Sequence, residues 1–139
     1  MRLTFDVGTH IDAPVSRVWR LMTDTQTWSR WGPSLKEVDS PERFIRAGLT
    51  GRIRTPFGFW APFTIESFEP EHYWDWRVGG VAAIGHRVEP RGPIQCRLTF
   101  TVPVWAAGYA VVCRVAVNRI KRQLALSLQE DRSWKRFLS

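Results

Sequence analysis

IDAPVSRVWRLMTDTQTWSRW, residues 11–31, carries the clearest architectural pattern in the chain. Pro14 fits the first position of a helix, where its missing N–H costs nothing, and Asp12 or Ala13 can cap that helix. The apolar residues that follow recur at i, i+3, i+4 and i+7: Val15, Val18, Trp19 and Met22. Thr23-Asp24 offers a second cap, and the segment closes at Gly32-Pro33. Two short helices in succession are therefore predicted.

Alternating residues flank these helices on both sides. Residues 3–11 alternate apolar with polar or small side chains, as a half-buried strand requires. Between residues 35 and 103, short runs are separated by Gly, Pro and acidic residues, and no helical period is found. This pattern predicts strands over 35–39, 43–47, 51–57, 60–69, 73–79, 82–89 and 94–102.

The sequence after Pro103 changes to a helical period. Its apolar members are Trp105, Tyr109, Val112, Ala116, Ile120 and Leu124. Gly108 and several valines lower the intrinsic helix propensity, so this helix should depend on packing against the strands. A long C-terminal helix that follows Pro103 directly is predicted.

The composition is typical of one folded domain. With 139 residues, 44% of them hydrophobic, the chain can bury a single core, and we treat 1–139 as one domain.

The longest run without a charge, Leu98–Cys113, is too short for a membrane-spanning helix. The N-terminus lacks the apolar run of a secretory signal, which favours a cytoplasmic location. Cys96 and Cys113 lie in apolar surroundings, which is typical of small buried hydrophobes.

The net charge of +7 is concentrated near the C-terminus, where residues 114–139 hold seven basic and two acidic residues. No aromatic stacking motif or recognition module accompanies these charges, so we expect a solvated helix face and no nucleic-acid partner. Residues 130–139 are interpreted as a flexible basic tail. Because this tail also contains Trp134 and Phe137, contact with an anionic membrane surface is an alternative interpretation.

Local motifs add a family resemblance to this order of elements. Ile11-Asp12-Ala13-Pro14, followed by Val18-Trp19, Thr23-Asp24 and Trp28 to Trp31, resembles the opening of the START-like, polyketide cyclase and dehydrase (SRPBCC) superfamily. Residues 68–78 and 85–90 are similar to bacterial members of that superfamily. The resemblance implies an α+β helix-grip fold, with a curled antiparallel sheet of about seven strands around the long C-terminal helix. It also implies two short helices after the first strand and an enclosed apolar cavity.

Successive side chains of a strand point to opposite faces, so the odd or even position of a residue (its parity) indicates whether it faces that cavity. Large aromatic residues share faces with apolar ones, and eight Trp and eight Phe are difficult to pack without leaving space. An apolar, aromatic-lined pocket is therefore expected, and an ordinary packed core is the alternative. The predicted ligand-binding residues are Trp31, Phe57, Trp60, Trp74, Trp76, His86, Cys96, Phe100, Tyr109 and Cys113.

His86 is the most informative single residue. It shares its parity with Ile84 and Val88, so it should face inward, where its polar atoms need partners and burial keeps it neutral at pH 7. Three roles are open: a structural histidine bonded to a backbone carbonyl or to Tyr109, a residue that orients a ligand by a hydrogen bond, or a general acid or base.

The carboxylates occupy the alternate strand positions, opposite to those of the apolar residues. Glu66, Asp75 and Glu89 fall on strand positions that face away from the apolar set, which indicates a solvated outer face of cross-strand charge pairs. His10 and His72 have no partners at metal-ligand spacing, so no metal site is expected. The chain also lacks a phosphate-binding Gly-rich loop, a nucleophile elbow and a Cys-x-x-Cys motif.

The leading functional hypothesis is a carrier or sensor that binds a hydrophobic or aromatic small molecule, lipid-like or polyketide-like, in the cavity. The alternative is an enzyme of the cyclase, aromatase or dehydratase kind, in which His86, assisted by Tyr109 or a bound water, moves a proton. A third hypothesis is an interaction module that uses the basic helix end. No catalytic residue can be assigned, no cofactor is expected, and the protein is predicted to be a monomer or a homodimer.

Overall fold

The structure, a computed structural model, describes residues 3–138 except for the side chains of residues 105, 107 and 127–138. The strands are β1 (Thr4–Ile11), β2 (Glu37–Asp39), β3 (Thr50–Arg54), β4 (Trp60–Glu69), β5 (Tyr73–Val78), β6 (Val81–Pro90) and β7 (Cys96–Pro103). The helices are α1 (Val15–Thr23), α2 (Trp28–Trp31) and α3 (Ala110–Leu138), with 3₁₀ turns at Thr25–Thr27 and Val104–Tyr109.

The seven strands form one antiparallel sheet in the order β1-β7-β6-β5-β4-β3-β2. The first strand of the chain pairs with the last, so β1 and β2 are the two ends of this order, and the two short helices connect them along the chain. Helix α3 packs against β1, β7 and both short helices. Its inward face buries Cys113, Ala116, Val117, Ile120 and Leu124. The predicted α+β helix-grip fold is confirmed.

The start of α1 differs from the prediction by one position. Pro14 is itself the N-cap, in an extended conformation, and its carbonyl accepts from the N–H of Arg17 at 3.1 Å. The second predicted cap is confirmed, because the Asp24 carboxylate accepts from the N–H of Gln26 at 3.0 Å. The Asp24 side chain therefore holds the turn that links α1 to α2.

The strand predicted over residues 43–47 is wrong. This segment makes one isolated bridge, between Phe44 and Asp24, and it is not a strand of the sheet. Its backbone pairs instead with the end of α1: Thr25 N–H donates to Arg43 O at 2.9 Å, and Ile45 N–H donates to Thr23 O at 3.0 Å. The Arg43 guanidinium also binds both carboxylate oxygens of Asp24, at 3.1 and 2.9 Å. The segment therefore lies against the end of α1 and the turn that follows it.

The long helix does not follow Pro103 directly. A 3₁₀ turn over Val104–Tyr109 comes first, and it contains a non-helical residue, Ala106, with φ −102° and ψ 30°. The predicted flexible tail, residues 130–139, lies outside the residues whose side chains are described, and it stays a prediction. Of the helices in the described part of the chain, none combines the length and apolar character needed to cross a bilayer.

Candidate functional site

A wide apolar chamber opens between the sheet and the start of α3. Its volume is about 540 Å³, and it lies among the β3–β4 hairpin, the β5–β6 hairpin and the 3₁₀ turn before α3. At its mouth the rings of Phe57 and Phe59 stack at 6.4 Å and are 89% and 59% exposed. Such exposed aromatic side chains at the rim of a cavity are typical of a ligand entrance.

A smaller inner chamber, of about 40 Å³, continues from the wide one toward the core. Its walls come from α2, from the middle of β5, β6 and β7, and from α3; they include Trp28, Trp31, Trp74, His86, Phe100 and Cys113. Six residues line both chambers and so form the passage between them: Ser34, Leu35, Trp76, Ile84, Tyr109 and Val112.

A hydrogen bond joins two residues of the passage wall. The Ser34 hydroxyl, in the loop after α2, bonds to the Tyr109 hydroxyl at the end of the 3₁₀ turn. These two residues are separated by most of the chain, and their side chains lie in the walls of both chambers. The contact therefore links the loop after α2 to the 3₁₀ turn before α3, where the two chambers meet.

The His86 ring lies in an aromatic box. It stacks on Trp74, its direct cross-strand neighbour, with ring centroids 3.8 Å apart. Phe100 and Trp31 present edges to it at 4.7 and 6.5 Å. The main-chain oxygen of Trp74 lies 3.3 Å from His86 Nδ1 and can only accept, so Nδ1 carries the proton and donates. The Nε2 atom is then a lone-pair acceptor, and no hydrogen-bond partner for it is found among the described residues.

Burial decides the charge state of the cavity walls. Burial lowers the pKa of His86 from its ordinary value of 6.5 to about 3, and the hydrogen bond to Trp74 opposes this only in part. Burial likewise raises the pKa of the Cys113 thiol to about 11 and raises the pKa of Tyr109. No Asp, Glu, Lys or Arg is among the described residues that line either chamber. The walls are therefore uncharged at neutral pH.

Two buried donors in the inner wall lack acceptors. The indole N–H groups of Trp74 and Trp76 have no hydrogen-bond partner among the described residues, although these residues are 0% and 8% exposed. Buried polar groups are paired in most proteins, so unpaired ones call for an explanation. The inner chamber thus combines two unused donors with the unused acceptor of His86.

The outer face of the sheet carries the charges, as predicted. Arg77 pairs with Glu66 across β5 and β4, and Arg54 binds Glu37 at 2.9 Å across β3 and β2. Two of the three carboxylates differ from the cross-strand prediction: Asp75 accepts from the Ser67 N–H at 2.9 Å and the Tyr73 hydroxyl at 3.0 Å, and Glu89 lies 3.9 Å from Arg91, two residues along the chain. These groups provide no acid or base to the cavity.

Most of the predicted site residues converge. Seven line the inner chamber: Trp31, Trp74, Trp76, His86, Phe100, Tyr109 and Cys113. Phe57 stands at the mouth of the outer chamber. Trp60 lines neither chamber, because its parity is opposite to that of Phe63, and it lies under the Arg52 guanidinium at 4.6 Å on the outer side. Cys96 is buried but lies four residues before Phe100 on β7, about 13 Å along the strand.

The prediction missed several residues of the walls. Trp28 could have been found, since it is three residues before Trp31 and therefore on the same helix face. Val112, in the first turn of α3, lies three residues after Tyr109 at the end of the 3₁₀ turn. Ser34 has no local pattern that points inward, and only the tertiary contact with Tyr109 reveals its position.

Comparisons with known proteins agree with this architecture. Solved structures with the same fold include protein NE0264 from Nitrosomonas europaea, with a TM-score of 0.70 and 16% identity over 91% of this chain and 97% of that one. Protein XoxI from Bacillus cereus has a TM-score of 0.69 and 14% identity, with the same coverages.

The fold also occurs in the di-domain ARO/CYC protein BexL of the BE-7585A biosynthetic pathway. Its TM-score is 0.70 at 16% identity, over 89% of this chain and 47% of BexL, so this chain spans about half of it. No curated protein matches the sequence. The model of one family, described as polyketide cyclase / dehydrase and lipid transport, matches residues 2–128. The chain therefore belongs to that family.

Proposed function

We propose that this protein binds a neutral hydrophobic small molecule in the two-chamber cavity and releases it unchanged, as a carrier or sensor. The single observation that carries the proposal is the uncharged, largely apolar chamber of about 540 Å³. This volume lies within the range of about 300–1,000 Å³ that is usual for small-molecule sites. A charged ligand would lose its hydration without gaining a counter-ion from the described walls.

The energy for binding would come from apolar burial. The wide chamber is lined by side chains such as Ile53, Phe59, Val78 and Val81, which offer dispersion contacts and no competing polar groups. The exposed rings of Phe57 and Phe59 give an arriving ligand its first apolar contact. A hydrophobic molecule is therefore favoured over a nucleotide or a sugar.

An enzyme of the cyclase, aromatase or dehydratase kind is the second candidate, and family membership supports it. Proton transfer is most effective when the pKa of the catalytic group lies near the working pH. His86, with a pKa lowered to about 3, is a weak base at neutral pH, and no carboxylate lines the described walls. The geometry supports binding better than turnover.

Titration with the neutral dye Nile red tests the proposal. Ala83 lines the wide chamber, so Ala83→Trp fills it, whereas Ala47→Trp adds the same ring at an exposed position outside the cavity. We expect micromolar binding to the wild type and to Ala47→Trp, and at least about tenfold weaker binding to Ala83→Trp. No binding to the wild type, or equal binding to Ala83→Trp, contradicts the proposal.

Other properties rest on the sequence. We keep as predictions a cytoplasmic location, a monomer or homodimer, and the absence of a nucleic-acid partner. The membrane-contact alternative depends on Trp134 and Phe137, whose side chains lie outside the described residues. Native mass spectrometry of the purified protein gives the subunit number and detects a bound small molecule in the same spectrum.

A further inference from the structure

We propose that the inner chamber recognises one hydroxyl group, so that the ligand is a neutral apolar molecule that enters with a phenolic or alcoholic O–H at its leading end. This inference rests on the proposed function, and it narrows the ligand class. It is carried by the unused polar atoms of three buried residues in the inner wall: His86, Trp74 and Trp76.

His86 supplies the acceptor. Its Nδ1–H is engaged by the Trp74 carbonyl, which fixes the tautomer and leaves the Nε2 lone pair available. His86 is 3% exposed, and its ring stacks on Trp74 and makes an edge contact with Phe100, so it cannot turn toward water without losing these contacts. A ligand O–H that donates to Nε2 would satisfy this acceptor.

The two indole groups supply donors. Trp74 and Trp76 belong to the wall of the same chamber, and their N–H groups have no partner among the described residues. A hydroxyl both donates and accepts, so it can satisfy an acceptor and a donor at once. A carbonyl oxygen can use only the donors. A carboxylate would bring an uncompensated charge into uncharged walls.

The volumes set which end of the ligand enters first. The inner chamber, of about 40 Å³, is far smaller than the wide chamber, of about 540 Å³. We therefore expect the small polar end of the ligand to enter the inner chamber and the body of the ligand to stay in the wide one. The hydroxyl passes between Ser34 and Tyr109, whose own hydroxyl groups provide an exchange partner on the way.

The test compares 2-naphthol with 2-methylnaphthalene, which has nearly the same shape but no hydroxyl, on the wild type and on His86→Phe. The Kd of 2-methylnaphthalene, measured on both proteins, corrects for the change in the shape of the chamber wall. The preference for 2-naphthol, expressed as the ratio of the two Kd values, should fall about 3- to 10-fold in His86→Phe. An unchanged ratio overturns the inference. If neither probe binds the wild type, the proposed function itself is contradicted, so the two failures are distinguishable.

A measurement on the wild type alone covers the case in which His86→Phe does not fold. The ¹⁵N resonance of His86 Nε2 should move toward lower shift when 2-naphthol saturates the protein, because the atom gains a donor. The same resonance should stay in place with 2-methylnaphthalene. His10 and His72, which are exposed, serve as internal controls. A His86 Nε2 shift that does not respond to 2-naphthol overturns the inference.

Discussion

Mild acid should destabilise this protein through His86. The pKa of this residue is lowered to about 3 in the folded state by burial, whereas in the unfolded chain it returns to its ordinary value of about 6.5. Between these two values the unfolded state binds a proton that the folded state does not, so stability falls as the pH falls. The rings around His86 belong to Trp74, Trp31, Trp76 and Phe100, and none of them can hold a compensating charge.

The magnitude follows from the linkage between proton binding and folding. Well below the unfolded pKa, stability drops by about 1.4 kcal/mol for each pH unit. At pH 5, an unfolded-state pKa of about 6.5 gives a loss of about 2 kcal/mol relative to pH 7. This is a large part of the total stability of a small domain, which is about 5–15 kcal/mol.

Urea unfolding of the wild type and of His86→Phe at pH 7 and pH 5 measures this loss. The variant should be about 1–3 kcal/mol less stable at pH 7, because the hydrogen bond from the imidazole Nδ1–H to the Trp74 carbonyl is lost. Between the two pH values it should lose about 2 kcal/mol less than the wild type. His10→Gln and His72→Gln, which change exposed histidines beside Asp12 and Glu69, should leave the His86 contribution in place. If His86→Phe and the wild type lose the same stability, the assignment of a neutral, buried His86 is wrong.

Three further predictions test other parts of the structure. Tyr109→Phe removes the hydrogen bond to Ser34 across the passage, so stopped-flow mixing should show a faster association of 2-naphthol, and an unchanged rate would show that this contact does not control entry. Asp24→Asn should lower the free energy of unfolding at pH 7 by about 1–3 kcal/mol, since Asp24 binds Arg43 and Gln26. Burial raises the pKa of Asp24, but hydrogen bonds, first of all from Arg43, hold it below its ordinary value. The contribution of Asp24 to stability should therefore disappear as the pH falls through that lowered pKa. An Asp24→Asn variant as stable as the wild type at pH 7 refutes the prediction. Phe57→Ser should weaken Nile red binding while changing stability by less than about 0.5 kcal/mol, because Phe57 is 89% exposed at the mouth; Ile94→Ser, at another exposed apolar position, should leave binding unchanged.

The architecture could be predicted because its determinants are local. Pro14 and the spacing of the apolar residues after it specify α1, and alternation specifies each strand without reference to its neighbours. Residues 43–47 show where this reasoning ends. Their pattern is that of a strand, but pairing with Thr23 and Thr25 and the ion pair between Arg43 and Asp24 hold them across the helices. Such competition between partners depends on tertiary contacts.

The site could be predicted in part for the same reason. Parity placed Trp74, Trp76 and His86 on one inward face, and the structure confirms it. Trp60 could have been excluded by the same alternation, because Ala61 and Phe63 are the inward residues of β4. The division into two chambers could not be predicted. The residues that line both chambers, among them Ser34 and Tyr109, come from distant parts of the chain and meet only in the folded protein.

Burial of His86 connects the acid sensitivity of the fold with the chemistry of the cavity. The same desolvation that makes the ring a weak base keeps its Nε2 lone pair unprotonated at every pH near neutrality, which is the condition for accepting a hydrogen bond. Folding uses only the Nδ1 side, through the Trp74 carbonyl. An apolar ring at position 86 would avoid both the acid sensitivity and the unpaired acceptor, at the cost of one hydrogen bond. The atom of His86 that folding leaves unused, Nε2, is therefore the acceptor to which we assign the ligand hydroxyl in the inner chamber.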